Sequence, residues 1–218
     1  MQNESDMPEL DRLPDLTKTD LILYDLGGVH YFVHYQKSMD EFAKLALLSH
    51  GEVPVFSQLV QDELFNLFEE GKITAAEFRI RLRDLYKIHA TDTEIDHAWN
   101  ALLGGLIPGR TEYLAQVKQH HRLALLSNTN EIHLNAIYDE CKPLFDQFET
   151  CFFSNLIKMR KPNTEIFEFV LQELNLNANQ VLFIDDSPQH IQTASRMGFH
   201  TWHLTNPADL LQVVPAIV

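Results

Sequence analysis

Basic residues are scarce in this sequence: 17 lysines and arginines stand against 31 aspartates and glutamates, a formal net charge of −14. A surface so acidic works against nucleic acid or an anionic membrane as partner, since both are bound mainly through positive charge. It leaves room for a small phosphorylated molecule, because a metal ion or one lysine can reverse the field inside a single cleft. Long apolar runs are also missing, and none approaches the roughly 18 residues that suggest a membrane span. Cysteine occurs only at Cys141 and Cys151. That is too little for a disulfide scaffold and fits two reduced thiols in a cytoplasmic protein. The eleven histidines include no HExxH pattern, which argues against a zinc centre. Residues 1–18, opening MQNESDMPELDRLPDL, are acidic and broken by proline. They lack the basic end and apolar stretch of a secretory signal and read as a short mobile tail.

What is present is the composition of a soluble globular domain, 45% hydrophobic and 22% charged. Apolar runs that stop at small or acidic residues predict strands at 21–28 (LILYDLGG), 122–130 (RLALLSNTN), 151–155 (CFFSN), 181–187 (VLFIDDS) and 199–204 (FHTWHL). Helical patterns lie between and after them, near 111–120, 131–140, 164–174, 188–197 and 207–213. Strand and helix in alternation predict an α/β fold, a Rossmann-like parallel sheet with helices on both faces. Ligands of such sheets bind beyond the carboxyl ends of the strands. Asp25, Ser127, Asn128, Asp185 and Asp186 fall at those ends.

The stretch 34–105 breaks the alternation and reads as helices alone, at 38–48, 58–71, 74–87 and 93–103. Leu59, Leu64, Leu67 and Phe68 recur at helical spacing, Thr74 with Glu77 fits a capping box, and Gly71 fits a helix end. The expected organisation is therefore a core from 19–33 and 106–218, with a helical cap of 34–105 placed like a lid. The plainer alternative makes these helices simply more core.

Four short motifs carry chemistry, and each has an ordinary structural reading beside the functional one. In YDLGGVH (24–30) a strand delivers Asp25 into two glycines, and a carboxylate there can attack phosphorus, although an aspartate closing a strand more often caps a turn. Ser127 and Asn128 could donate hydrogen bonds to phosphate or merely cap the next helix. Lys161, just before Pro162, could neutralise phosphate or be a solvated surface lysine. In VLFIDDS the adjacent Asp185 and Asp186 are costly to place together unless a cation joins them, and oxygen-only ligands favour magnesium.

In this order, with a helical insert after the first, the motifs resemble the haloacid dehalogenase-like hydrolase superfamily over about residues 21–205, more narrowly its phosphatase branch with a helical type 1 cap. The resemblance implies Asp25 as the nucleophile that becomes an aspartyl-phosphate. Ser127 and Asn128 would bind the phosphoryl group, and Lys161 would steady its charge. Asp25, Asp186 and the Gly27 carbonyl would ligate Mg2+, with Asp185 as a further ligand or supporting partner. A small phosphorylated metabolite, such as a sugar phosphate, would be the substrate. The family also favours a monomer.

The sequence departs from the family at two places. Most phosphatases of this family carry a second aspartate two residues after the nucleophile, as general acid and base, where this chain has Gly27. General acid–base help is typically worth about 10²–10⁴-fold in rate. Members with a DLGN or DLGG first motif are nonetheless regarded as working sugar-phosphate phosphatases. His30 and His34 stand close downstream as substitutes that titrate near neutrality. His190 occupies a position where the family often has Asp or Asn. Two rival readings follow: a catalytically weak or inactive binding module, motivated by Gly27, and a metal-free 2-haloacid dehalogenase, which the acid pair Asp185–Asp186 opposes.

Overall fold

The computed structural model describes residues 19–57 and 62–212. The expected tail at 1–18, the start of the expected 58–71 helix with Leu59, and position 213 lie outside the described residues.

Five parallel strands form the central sheet: β1 (Leu21–Tyr24), β4 (Arg122–Ser127), β5 (Thr150–Phe153), β6 (Val181–Asp185) and β7 (His200–His203), in the order β5-β4-β1-β6-β7. Successive side chains on a strand point to opposite faces, and the central strands divide accordingly. Ile22, Tyr24, Leu123, Leu125, Leu182 and Ile184 enter one hydrophobic cluster. Leu21, Leu23, Ala124, Leu126, Val181 and Phe183 enter another. The first face is covered by α5 (Arg110–Val117), α6 (Glu131–Phe145) and α10 (Asp209–Gln212). The second is covered by α8 (Thr164–Leu174) and α9 (Pro188–Arg196). Because both faces are covered, these strands are apolar throughout rather than alternating. The expected doubly covered α/β sheet is what the chain forms.

Between β1 and α5 the chain builds a ribbon and a helical layer. The helices are α1 (Tyr35–Ser49), α2 (Glu63–Glu69), α3 (Ala75–Tyr86) and α4 (Asp92–Asn100). They bury Phe42, Phe56, Phe65, Phe68, Phe78 and Trp99 in one cluster, which also takes in Ile132 of α6. The capping box at Thr74 and Glu77 forms as expected, with Gly71 just beyond the end of α2.

Sequence periodicity misplaced several boundaries. The helix expected over 93–103 stops at Asn100, and β2 (Tyr31–Val33) pairs antiparallel with β3 (Leu103–Leu106). Gly104 and Gly105 permit this. A Cβ at Gly104 would stand 2.6 Å from that of Phe32, and Gly105 has φ +94°, a region that favours glycine. The strand expected to run to 155 ends at Phe153, where the short helix α7 (Ser154–Ile157) begins. Helix α6 continues past the expected 140 and accommodates Pro143. Among the described residues no helix is long and apolar enough to cross a membrane.

Phe78 is fully buried and stacked on Phe68 with ring centroids 4.3 Å apart. Phe78→Ala is expected to lower stability by about 3–5 kcal/mol, read as a reduced denaturant midpoint with an unchanged m-value.

Candidate functional site

Parallel strands all present their carboxyl ends on one edge of the sheet, and there the four motifs meet. Asp25 follows β1, Ser127 ends β4 and Asp185 ends β6. Lys161 comes from the loop before α8 and is completely buried. Its Nζ donates to Asp25 Oδ1 at 2.8 Å, to Asp185 Oδ2 at 2.7 Å and to the Leu126 carbonyl at 2.8 Å. It also lies 5.4 Å from the Phe183 ring centroid. The surface-lysine alternative is thus excluded.

Burial acts against every charge in this group, and pairing decides each outcome. Burial lowers the Lys161 pKa, but Asp185 and Asp25 outweigh it and hold the ammonium charged. Burial raises Asp185, yet Lys161 and His190 bring it well below the usual carboxylate range. Asp185 accepts from Lys161, from the Ser187 amide at 2.7 Å and from His190 Nδ1 at 3.0 Å, so both its oxygens are engaged. Asp25 is pushed up, first by burial and then by the neighbouring Asp185, against the pull of Lys161.

Asp186 completes the cluster. One oxygen each from Asp25, Asp185 and Asp186 lies within 4.8 Å of the others. One buried lysine balances only part of the charge of three carboxylates, and the oxygen-only donor set suits a hard divalent cation such as magnesium. Gly28 is required beside it: with φ +69°, any Cβ there would meet Asp186 Oδ2 at 1.9 Å.

Asn128 does something other than expected with its side chain. Its Nδ2 donates to the Lys161 carbonyl at 2.9 Å, and its Oδ1 accepts from the Lys161 amide at 2.9 Å. The side-chain amide therefore clamps the lysine loop to the end of β4. Ser127 is buried and, with Asn128, lines the cavity.

This cavity of about 200 Å³ separates the strand ends from the helical layer. Asp25, Gly27, Asp186 and His190 line its floor, while Tyr35, Glu69, Trp99, His133 and Arg160 were not anticipated from the sequence. Sequence spacing gives no signal for them, since they come from separate helices and loops. Arg160 pairs with Glu69 at 2.9 Å, and Lys158 Nζ donates to the Gly71 carbonyl at 2.7 Å, joining the sheet side to the end of α2.

Neither His30 nor His34 belongs to this wall. His30 is fully buried, its ring 5.0 Å from Tyr24 and 6.0 Å from Phe148. Burial, helped by Arg110, lowers its pKa to about 3. His34 stacks against Phe32. As substitutes for the missing acid they fail on position.

A family model described as haloacid dehalogenase-like hydrolase matches residues 19–198. The chain belongs to this family. Among its hydrolase relatives, the D-ribitol-5-phosphate phosphatase of Bacteroides thetaiotaomicron is 29% identical over 202 residues, 90% of this chain and 97% of the relative. Sesquiterpene phosphatase astK of Aspergillus oryzae is 28% identical, covering 84% of this chain and 89% of its own. A haloacid dehalogenase (HAD) family enzyme of Bacteroides thetaiotaomicron, crystallised as an aspartate-to-alanine mutant with magnesium and inorganic phosphate, has a TM-score of 0.77 at 29% identity. The match covers 85% of this chain and 93% of that one.

Two outcomes follow from the buried charges. Lys161→Met leaves Asp25 and Asp185 without their shared cation and should cost about 3–5 kcal/mol in metal-free buffer, measured by denaturant unfolding. His30 is neutral when folded and titrates near about 6.5 when unfolded. The unfolded chain therefore takes up a proton that the folded one refuses. The stability this provides is complete above about pH 6.5 and is lost as pH falls toward 3. His30→Leu should flatten the stability–pH slope between pH 6 and 4 by about one proton.

Proposed function

We propose that this protein is a magnesium-dependent phosphatase of small phosphorylated metabolites that works through an aspartyl-phosphate on Asp25. The observation that carries the reading is the buried Lys161 held between Asp25 and Asp185, with Asp186 beside them. The named phosphatase relatives, matched over most of their length, support the reaction class. The magnesium and phosphate complex of the structural relative supports the cofactor.

In this reading Asp25 and Asp186, with the carbonyl of Gly27, would hold the ion. Asp185, whose oxygens are already engaged, orients Lys161 and His190 beside it. Magnesium bound there would draw negative charge from the phosphoryl oxygens. Lys161 pulls Asp25 toward its ionised form, the form a nucleophile requires, and faces the developing charge. Ser127 donates its hydroxyl to a phosphoryl oxygen. Asn128 contributes by fixing the Lys161 loop, with its own backbone left to meet the phosphate. The helices of 34–105 form a cap that excludes water and selects the substrate. A polar, hydroxylated leaving group such as a sugar alcohol suits the Glu69 and Arg160 wall.

Gly27 favours a second reading, a weakly active or inactive binding module, because the usual acid is absent. Assay against para-nitrophenyl phosphate and a panel of sugar and sugar-alcohol phosphates separates the two. Turnover should require magnesium, vanish with chelator, and fall at least about 10³-fold in Asp25→Asn. A folded protein that binds these esters without turning any over would establish the binding module instead.

A further inference from the structure

The phosphatase reading leaves one chemical task unassigned, protonation of the departing alcohol, because Gly27 stands where the family's acid usually is. The cavity wall holds few groups that can give up a proton. Glu69 is engaged by Arg160 at 2.9 Å. His133 accepts from Asn130 Nδ2 at its Nδ1, so its proton sits on Nε2 and is spent on the Trp99 carbonyl at 3.2 Å. Burial lowers its pKa to about 3 and keeps it neutral. His190 donates from Nδ1 to Asp185, which ties its ring to the strand-end side of the cavity. Asp25 and Asp186 are committed to the nucleophile and the ion.

Tyr35 remains. It opens α1, directly after the ribbon strand β2, and lines the cavity with Asp25, Gly27, Gly28 and Asp186. Among the described residues no side-chain hydrogen bond acts on its hydroxyl. Burial first, then the fields of Glu69, Asp186, Asp25 and Asp185, raise its pKa far above that of an ordinary phenol, so it keeps its proton. A phenol that keeps its proton and opens onto the cavity beside these carboxylates can donate to a substrate oxygen that enters it.

We infer that Tyr35 is the catalytic proton donor to the leaving oxygen, taking over the task of the acid that Gly27 lacks. This rests on the phosphatase reading. Asp25 attacks phosphorus, the bond from phosphorus to the alcohol oxygen breaks, and the Tyr35 proton passes to that oxygen. The phenolate then takes a proton from the water that attacks the aspartyl-phosphate. Ester plus water gives alcohol plus phosphate, and Tyr35 is restored.

The test is dependence on the leaving group. First-turnover release is measured with magnesium for wild type, Tyr35→Phe, and Tyr35→Phe combined with Gly27→Asp. The substrates run from para-nitrophenyl phosphate, whose product leaves as a stable anion, through phenyl phosphate to an alkyl phosphate. Tyr35→Phe should lose less than about fivefold on the first and about 10²-fold or more on the last. The double variant should recover the alkyl ester. A Cβ at Gly27 meets only Val33 Cγ2, at 3.1 Å, so a side chain can start there with a slight shift of that methyl. Equal loss on every ester, or none, overturns the assignment, as does a graded loss that the aspartate fails to relieve. Wild type releasing nothing from any ester would instead defeat the phosphatase reading on which it stands.

Discussion

Everything at this site depends on one buried ammonium. Lys161 has no exposure and satisfies its three donor directions with two carboxylates and a carbonyl. A charge so placed is tolerable only while all its partners stay. The constraint runs both ways. Asp25 and Asp185 close adjacent strands β1 and β6, so the parallel register of these strands sets the gap that the lysine spans. The Asn128 clamp on the Lys161 backbone then fixes the loop against β4. Sheet register, loop and charge are thus a single arrangement.

That arrangement leaves negative charge in excess. Three carboxylates face one lysine, and the donor atoms are all oxygen. Asp185 is saturated by hydrogen bonds, whereas Asp25 has its pKa raised rather than lowered. Neighbouring carboxylates thereby acquire different work from their surroundings alone. The helical layer sets the other boundary of the site. Its Glu69 and Gly71 are tied to Arg160 and Lys158 of the sheet side. The wall facing Asp25 is consequently built from residues distant in sequence.

Much of the fold was legible because apolar strands between helical patterns have few alternatives. The run LILY at 21–24 is buried on both faces, as its continuous apolarity requires. The ribbon was not legible: LGGL at 103–106 follows helix α4 and continues its pattern, and only pairing with Tyr31–Val33 makes it a strand. Asp25, Lys161, Asp185 and Asp186 were each ambiguous alone and informative in order. His30 misled because proximity along the chain says nothing about facing. The loop turns its ring toward Tyr24 and Phe148, away from the cavity.

The sequence by itself determined the alternation of strand and helix, the membership of the four motifs and the acidic balance, since these rest on local periodicity and residue chemistry. Tertiary structure alone decided which charges are buried together, because Lys161 and Asp25 lie 136 positions apart and nothing local links them. It also decided that Asn128 would spend its amide on the backbone and that Tyr35 would face the carboxylates. Such choices follow from packing, where a polar group is cheap in water and costly when buried without a partner.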